Sequence, residues 1–209
     1  GAASPRPREI NRTNPRTQLW LVRHGATEWS EVGRHTSVTD LPLLPEGRRD
    51  AERIGRRLTG EDFGLVLSSP RRRALETAEL AGFPAPTVDP DLVEWSYGPG
   101  EGLTSVQIAE RVPGWRIWTH GAPAIDREGF ERGETQEHVV ERLSRAIDRA
   151  RTSGADRVLI FGHGHALRVL SMLWLGAPVE LAASFPLLTG SLSVLGWEKD
   201  SPAIVRWNS

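Results

Sequence analysis

Three short, unbroken apolar runs constrain the fold of this chain more than any other feature. They are Leu19-Trp20-Leu21-Val22, Leu65-Val66-Leu67 and Val158-Leu159-Ile160-Phe161. Runs of this length without polar alternation fit strands covered on both faces. Helical patterns separate them. Ala51, Ile54, Gly55 and Leu58 fall at i, i+3, i+4, i+7 and predict a helix from about Glu46 to Leu58, stopped by Gly60. After the second run, Ser69 reads as an N-cap and Pro70 as the first helical residue of a segment reaching Leu80. A long helix is expected from about Thr135 to Thr152, with Val140, Leu143, Ile147 and Ala150 on one face, and another from the third run to about Leu175. Residues 83–103 and 112–134 read as loops, joined by a short helix whose capping box is Thr104 and Gln107. Ser191–Trp197 and Ala203–Trp207 read as two strands at the sheet margin. This alternation predicts an α/β three-layer sandwich, with a mostly parallel central sheet flanked by helices.

The length of 209 residues suits one domain, assigned to residues 18–209. Residues 1–17, rich in proline and arginine, read as a disordered tail, and Gly1-Ala2-Ala3-Ser4 as a cloning scar. Cysteine is absent and Lys199 is the sole lysine, so 25 of the 26 basic residues are arginine. That excludes disulfides, thiolate nucleophiles, cysteine zinc sites and a lysine-bearing phosphate loop. Histidine, hydroxyl and carboxyl groups remain for proton and nucleophile chemistry, and arginine for binding anions. The net charge of −1 shows no nucleic-acid footprint. Arg168, Pro178, Glu180 and Pro186 interrupt the longest apolar stretch, which argues against a membrane span. No signal peptide is read ahead of the fold. A soluble, cytoplasmic chain is expected, with a homo-oligomer left open.

In open α/β sheets ligands bind beyond the carboxyl ends of the strands. Here those ends carry Arg23-His24-Gly25, Ser68-Ser69-Pro70-Arg71-Arg72-Arg73 and His163-Gly164-His165, and Glu94 stands in a nearby loop. Two imidazoles and several guanidinium groups at strand ends suit a dianionic ligand, a phosphate. Arg71 and Arg72 have the plainer reading of a solvated helix face.

The segment Leu21-Val22-Arg23-His24-Gly25 resembles the signature of the histidine phosphatase superfamily, whose fold is phosphoglycerate-mutase-like. The resemblance extends over about residues 19–200. It includes Thr39-Asp40-Leu41-Pro42-Leu43 leading to Gly47, Ser68-Ser69-Pro70 with Arg73-Ala74 and Thr77-Ala78, Glu94 with Gly98 and Glu101-Gly102, and His163-Gly164. It implies a metal-independent phosphatase without a cofactor, with His24 as the phosphorylated nucleophile. Arg23, Arg73 and His163 would complete the phosphate pocket, and Glu94 would give a proton to the leaving oxygen.

Within the family, Glu94-Trp95-Ser96-Tyr97-Gly98 and His163-Gly164-His165-Ala166-Leu167-Arg168 are similar to sedoheptulose bisphosphatases and actinobacterial acid phosphatases. Phosphoglycerate mutases usually carry Arg-His where this chain has Trp95-Ser96, and Asn where it has Ser30. A mutase and a non-catalytic phospho-ligand module remain the alternatives. The family commonly has Glu at the position of Ala26 and Gly at that of Ser37, where a side chain would narrow the pocket or contact the phosphate. Ser30, Ser37, Tyr97, Gly164 and Arg168 are the expected substrate contacts, the last for a second anionic group or else a surface salt bridge. The expected partner is a small phosphorylated metabolite, such as a sugar phosphate. Trp95, Trp115 and Trp118 are expected to form a small core over the site.

Overall fold

The computed structural model describes residues 16–209. The expected tail and scar at residues 1–15 lie outside the described residues. Thr17, counted with that tail, is buried, and its hydroxyl donates to the Ala155 carbonyl at 2.9 Å.

Among the described residues six strands form one sheet: β1 (Gln18–Arg23), β2 (Leu65–Ser68), β3 (Thr87–Val88), β4 (Arg157–Gly162), β5 (Leu192–Glu198) and β6 (Ser201–Arg206). Their order is β3-β2-β4-β1-β5-β6. The first four run parallel to one another, β5 is antiparallel to β1, and β6 is antiparallel to β5. Seven helices accompany them: α1 (Glu28–Glu31), α2 (Pro45–Leu58), α3 (Arg72–Leu80), α4 (Ser105–Arg111), α5 (Ile117–His120), α6 (Gln136–Thr152) and α7 (Gly164–Leu175). The short pieces α1, α5 and β3 fall outside the expected elements.

Strand alternation divides the core into two layers. Leu19, Leu21, Val158 and Ile160 pack with α6 and α7, while Trp20, Val22, Leu159 and Phe161 pack with α2 and α3. The buried face of α6 is Val139, Leu143, Ala146, Ile147 and Ala150; Val140 sits at its margin. The expected capping box at Thr104 and Gln107 is formed.

The start of α3 departs from expectation. The helix begins at Arg72, and Ser69 does not cap it. Asp40 does so instead, its carboxylate accepting the Arg72 N–H at 2.7 Å. Ser69 lies too far ahead of the helix, and its hydroxyl serves His163.

Sheet register assembles the strand ends. Arg23 pairs with Gly162 and Ser68 with Phe161. The next residues, His24, His163 and Ser69, therefore leave the sheet side by side.

Candidate active site

His24 stands at the end of β1, where Gly25 lets the chain press against α2. A Cβ on Gly25 would lie 2.4 Å from the Gly47 carbonyl oxygen, so glycine is required there. The His24 Nδ1 lies 2.7 Å from the Gly25 carbonyl. A carbonyl only accepts, so Nδ1 carries the hydrogen and Nε2 holds the lone pair. Burial, then the charges of Arg23 and Arg73, hold the His24 pKa well below the ordinary histidine value. His24 is thus a neutral imidazole with its outer nitrogen ready to attack.

His163 stacks edge-on to His24, with ring centroids 5.3 Å apart. Its Nε2 lies 2.7 Å from the Ser69 hydroxyl oxygen, which also accepts the Arg71 N–H at 3.3 Å. Ser69 is fully buried and, among the described residues, has no other acceptor for its proton, so the hydroxyl donates to Nε2. Burial, then Arg73, His24, Arg71 and Arg23, keep His163 neutral. Its one hydrogen therefore sits on Nδ1.

Around these rings, Arg23 Nε, Arg73 Nε and His163 Nδ1 are buried without a partner among the described residues. Buried donors of this kind call for an acceptor, and three of them beside His24 suit a phosphoryl group. Arg23 is steadied by the Leu187 carbonyl and by Gly164, where a Cβ would lie 3.0 Å from the guanidinium carbon. Arg73 is tied to the turn before it. Its Nη1 donates to the Thr39 carbonyl at 2.9 Å, and its Nη2 to the Ser37 and Thr36 carbonyls at 3.0 and 3.2 Å. This leaves Nε–H and one Nη1 hydrogen of Arg73 outside those bonds.

Glu94 is fixed at the N-terminus of α7. One carboxylate oxygen accepts the Trp95 and Ala166 N–H groups, each at 2.8 Å. The other accepts only the His165 N–H, at 3.0 Å. The loop that carries Glu94 is bolted to α6. Buried Arg142 donates to the Asp91 and Val93 carbonyls, both at 2.7 Å, and to both oxygens of Glu134 at 2.8 and 2.9 Å. Glu134 in turn accepts the Ser96 N–H at 2.8 Å.

A cavity of about 210 Å³ opens over His24, Arg23 and Glu94. Ser30, Tyr97, Gly164 and Arg168 line it as expected, joined by His35, His165 and Arg34. The Ser30 hydroxyl is committed to a capping box with Thr27. Ser37, like Arg73 and His163, does not line this cavity, and its hydroxyl donates to the Glu94 carbonyl at 3.1 Å. Glu101 draws it in by accepting its N–H through both carboxylate oxygens. Among the described residues Arg168 forms no salt bridge; it donates to the Ala182 carbonyl at 2.8 Å and lies over the Trp118 ring. Trp95 and Trp118 are core residues, with Trp115 packed against them.

The sequence profile of the histidine phosphatase superfamily (branch 1) matches residues 19–209. The chain belongs to the histidine phosphatase superfamily. A curated relative, the acid phosphatase of Mycobacterium tuberculosis, is 41% identical over 185 residues, 87% of each chain. The sedoheptulose 1,7-bisphosphatase of Saccharomyces cerevisiae is 35% identical over 192 residues, 77% of this chain and 68% of the other. A solved structure of a Mycobacterium tuberculosis open reading frame superposes with a TM-score of 0.83 at 37% identity, covering 92% of this chain and 97% of that one. The architecture of this histidine phosphatase is the phosphoglycerate-mutase-like one.

Residues to which the sequence reading gave no functional role also build its site. Arg71 is only partly exposed, its Nε is buried, and its charge acts on His163. The solvated-face reading holds for Arg72, which pairs with Glu76, and fails for Arg71. His35 and His165 stack 6.0 Å apart on the cavity wall. Only the His163-Gly164-His165 spacing could have signalled one of them.

Proposed function

We propose that this phosphatase hydrolyses a small phosphomonoester, a sugar phosphate or related metabolite, through a phosphohistidine on His24. The observation that carries the reading is the locked, neutral His24 with Nε2 open beside the unpaired donors of Arg23, Arg73 and His163. Nε2 attacks phosphorus as the bond to the ester oxygen breaks. Positioned cationic and N–H donors stabilise the charge spread over the transferring group. Glu94 supplies the proton for the departing oxygen, from the carboxyl oxygen that accepts a single N–H. Water then attacks the phosphohistidine, Glu94 takes its proton, and phosphate leaves. The guanidinium groups supply the positive charge, so no metal is needed.

Purified protein should release phosphate from p-nitrophenyl phosphate in EDTA and form an acid-labile phosphoenzyme. His24→Ala should abolish both. Phosphate release that survives this substitution would overturn the reading. Interconversion of 2- and 3-phosphoglycerate without net hydrolysis would point to a mutase.

A further inference from the structure

Arg142 is the one charged residue on the buried face of α6, among Val139, Leu143, Ala146, Ile147 and Ala150. It is 4% exposed, and every bond of its side chain serves the chain around Glu94. Its Nη1 donates to the Asp91 and Val93 carbonyls, both at 2.7 Å. Its Nε and Nη2 donate to the two carboxylate oxygens of Glu134, at 2.8 and 2.9 Å. Glu134 holds the far side of Glu94. Its carboxylate accepts the Ser96 N–H at 2.8 Å, its carbonyl accepts the Trp95 indole N–H at 2.9 Å, and its own N–H donates to the Ser96 carbonyl at 2.8 Å. The pair thus grips the chain immediately before and after Glu94, whose carboxylate rests on the Trp95, His165 and Ala166 N–H groups.

Packing alone does not call for this pair. Apolar residues of similar volume often replace a buried ion pair at no cost in stability. What they could not supply is direction, because a planar guanidinium fixes a carboxylate and two carbonyls at once. None of these bonds involves His24, Arg23, Arg73 or His163, and Arg142 and Glu134 do not line the cavity over His24.

We propose that Arg142 and Glu134 are positioning residues for proton donation. They aim the Glu94 carboxyl at the ester oxygen and so govern how readily poor leaving groups depart. The proposal rests on the phosphatase reading, with Glu94 as the acid, and adds the residues that direct it. A proton donor must lie within hydrogen-bond reach of the departing oxygen, and a misplacement of about 1 Å can cost roughly 10²-fold. A good leaving group departs with little help from a proton, so loosening the clamp is felt most where the acid is most needed.

The full chain is assayed with 4-nitrophenyl, phenyl and benzyl phosphate, in order of worsening leaving group. The plot of log kcat/KM against leaving-group pKa should be shallow for the wild type and steeper for Glu94→Gln. In Arg142→Met and Glu134→Gln the advantage of the 4-nitrophenyl over the benzyl ester should grow by about tenfold or more. Arg142→Lys, which keeps the charge but not the fork, should fall between Arg142→Met and the wild type. Inhibition by inorganic phosphate should stay within about twofold, since the phosphate donors lie outside the clamp. In a Glu94→Gln background the clamp variants should not steepen the plot further.

Equal losses across the series, a wild-type slope, or a steepening that persists without the Glu94 carboxyl overturns the proposal. So does a fall in phosphate affinity that matches the fall in rate, the mark of general disorder in the site. If Arg142→Met does not fold, Glu134→Gln, which keeps the volume, and Arg142→Lys, which keeps the charge, decide by the same comparison. A Glu94→Gln series with the wild-type slope is a separate result. It removes Glu94 as the acid, and the clamp's role with it, while leaving His24 as the nucleophile. If the wild type hydrolyses none of the esters, the phosphatase reading itself fails and the proposal falls with it.

Discussion

Ser69→Ala isolates the least expected contact in the site. Among the described residues the Ser69 hydroxyl is the only group bonded to the His163 Nε2, at 2.7 Å, and both side chains are fully buried. Its donation places the imidazole hydrogen on Nδ1, among the unpaired donors. The opposite tautomer would leave the serine proton with no acceptor, at a cost of about 1–3 kcal/mol. That bias corresponds to a factor of roughly 5 to 150 in the tautomer ratio. Removing the hydroxyl lets the two tautomers mix, so kcat should fall by roughly two- to fivefold, well short of the about 10²- to 10³-fold that loss of an aligned donor outright costs. Nitrogen NMR on histidine-labelled protein reads the hydrogen directly. The wild type should show a protonated His163 Nδ1 and an unprotonated Nε2, and Ser69→Ala should show exchange between the two forms. The effect should vanish in a His163→Ala background, because the serine acts only through that ring. A wild-type ring protonated on Nε2, or a variant that keeps a single Nδ1-protonated form, refutes the reasoning.

Two other outcomes follow from the same geometry. Glu94→Gln keeps the shape but cannot give a proton, so phosphoenzyme formation should slow by roughly 10²- to 10⁴-fold with alkyl esters and much less with p-nitrophenyl phosphate; equal losses would remove Glu94 as the acid. His24 and His163 have folded pKa values held below the unfolded value of about 6.5 by burial. Below that pH the unfolded chain binds protons that the folded one refuses, so their stability contribution is present above pH 6.5 and is lost as pH falls through the folded values. Between pH 6.5 and 5 the loss should reach at most about 2 kcal/mol for each ring, read from urea unfolding, while His24 stays neutral and kcat/KM persists. Stability that is flat from pH 7 to 5 contradicts this.

The parts of the molecule legible in the sequence are those where local pattern and global role coincide. The runs at Leu19, Leu65 and Val158 must be strands because both faces of each are covered. They end in His24, Ser69 and His163 because parallel strands deliver their carboxyl ends to one edge. Less legible were groups whose role depends on what folds against them. Ser37 looked like a phosphate contact, yet Glu101 pulls its backbone inward and its hydroxyl steadies the Glu94 loop. Ser69 had a helix-capping pattern, but a buried imidazole is the stronger claimant on its proton and Asp40 takes over the cap. Arg71 is indistinguishable from Arg72 by composition, and only the turn before α3 directs one inward and the other to solvent. Arg142, buried and spread across Glu134 and two loop carbonyls, lies on a helix face that periodicity reserves for apolar residues.

The pairing of Arg23 with Gly162 has a bearing on how the chain acquires activity. His24 and His163 come from opposite ends of the sequence and meet only when β1 and β4 are zipped in register. A slip of one residue would turn one of the two rings to the other face of the sheet. No fragment that lacks either strand can hold the pair, and no partly folded state with β1 detached can be phosphorylated in the same way. Incorporation of phosphate on His24 therefore reports closure of the central sheet, and during refolding it should lag behind helix formation, because long-range strand pairing is the slow step in assembling such a sheet.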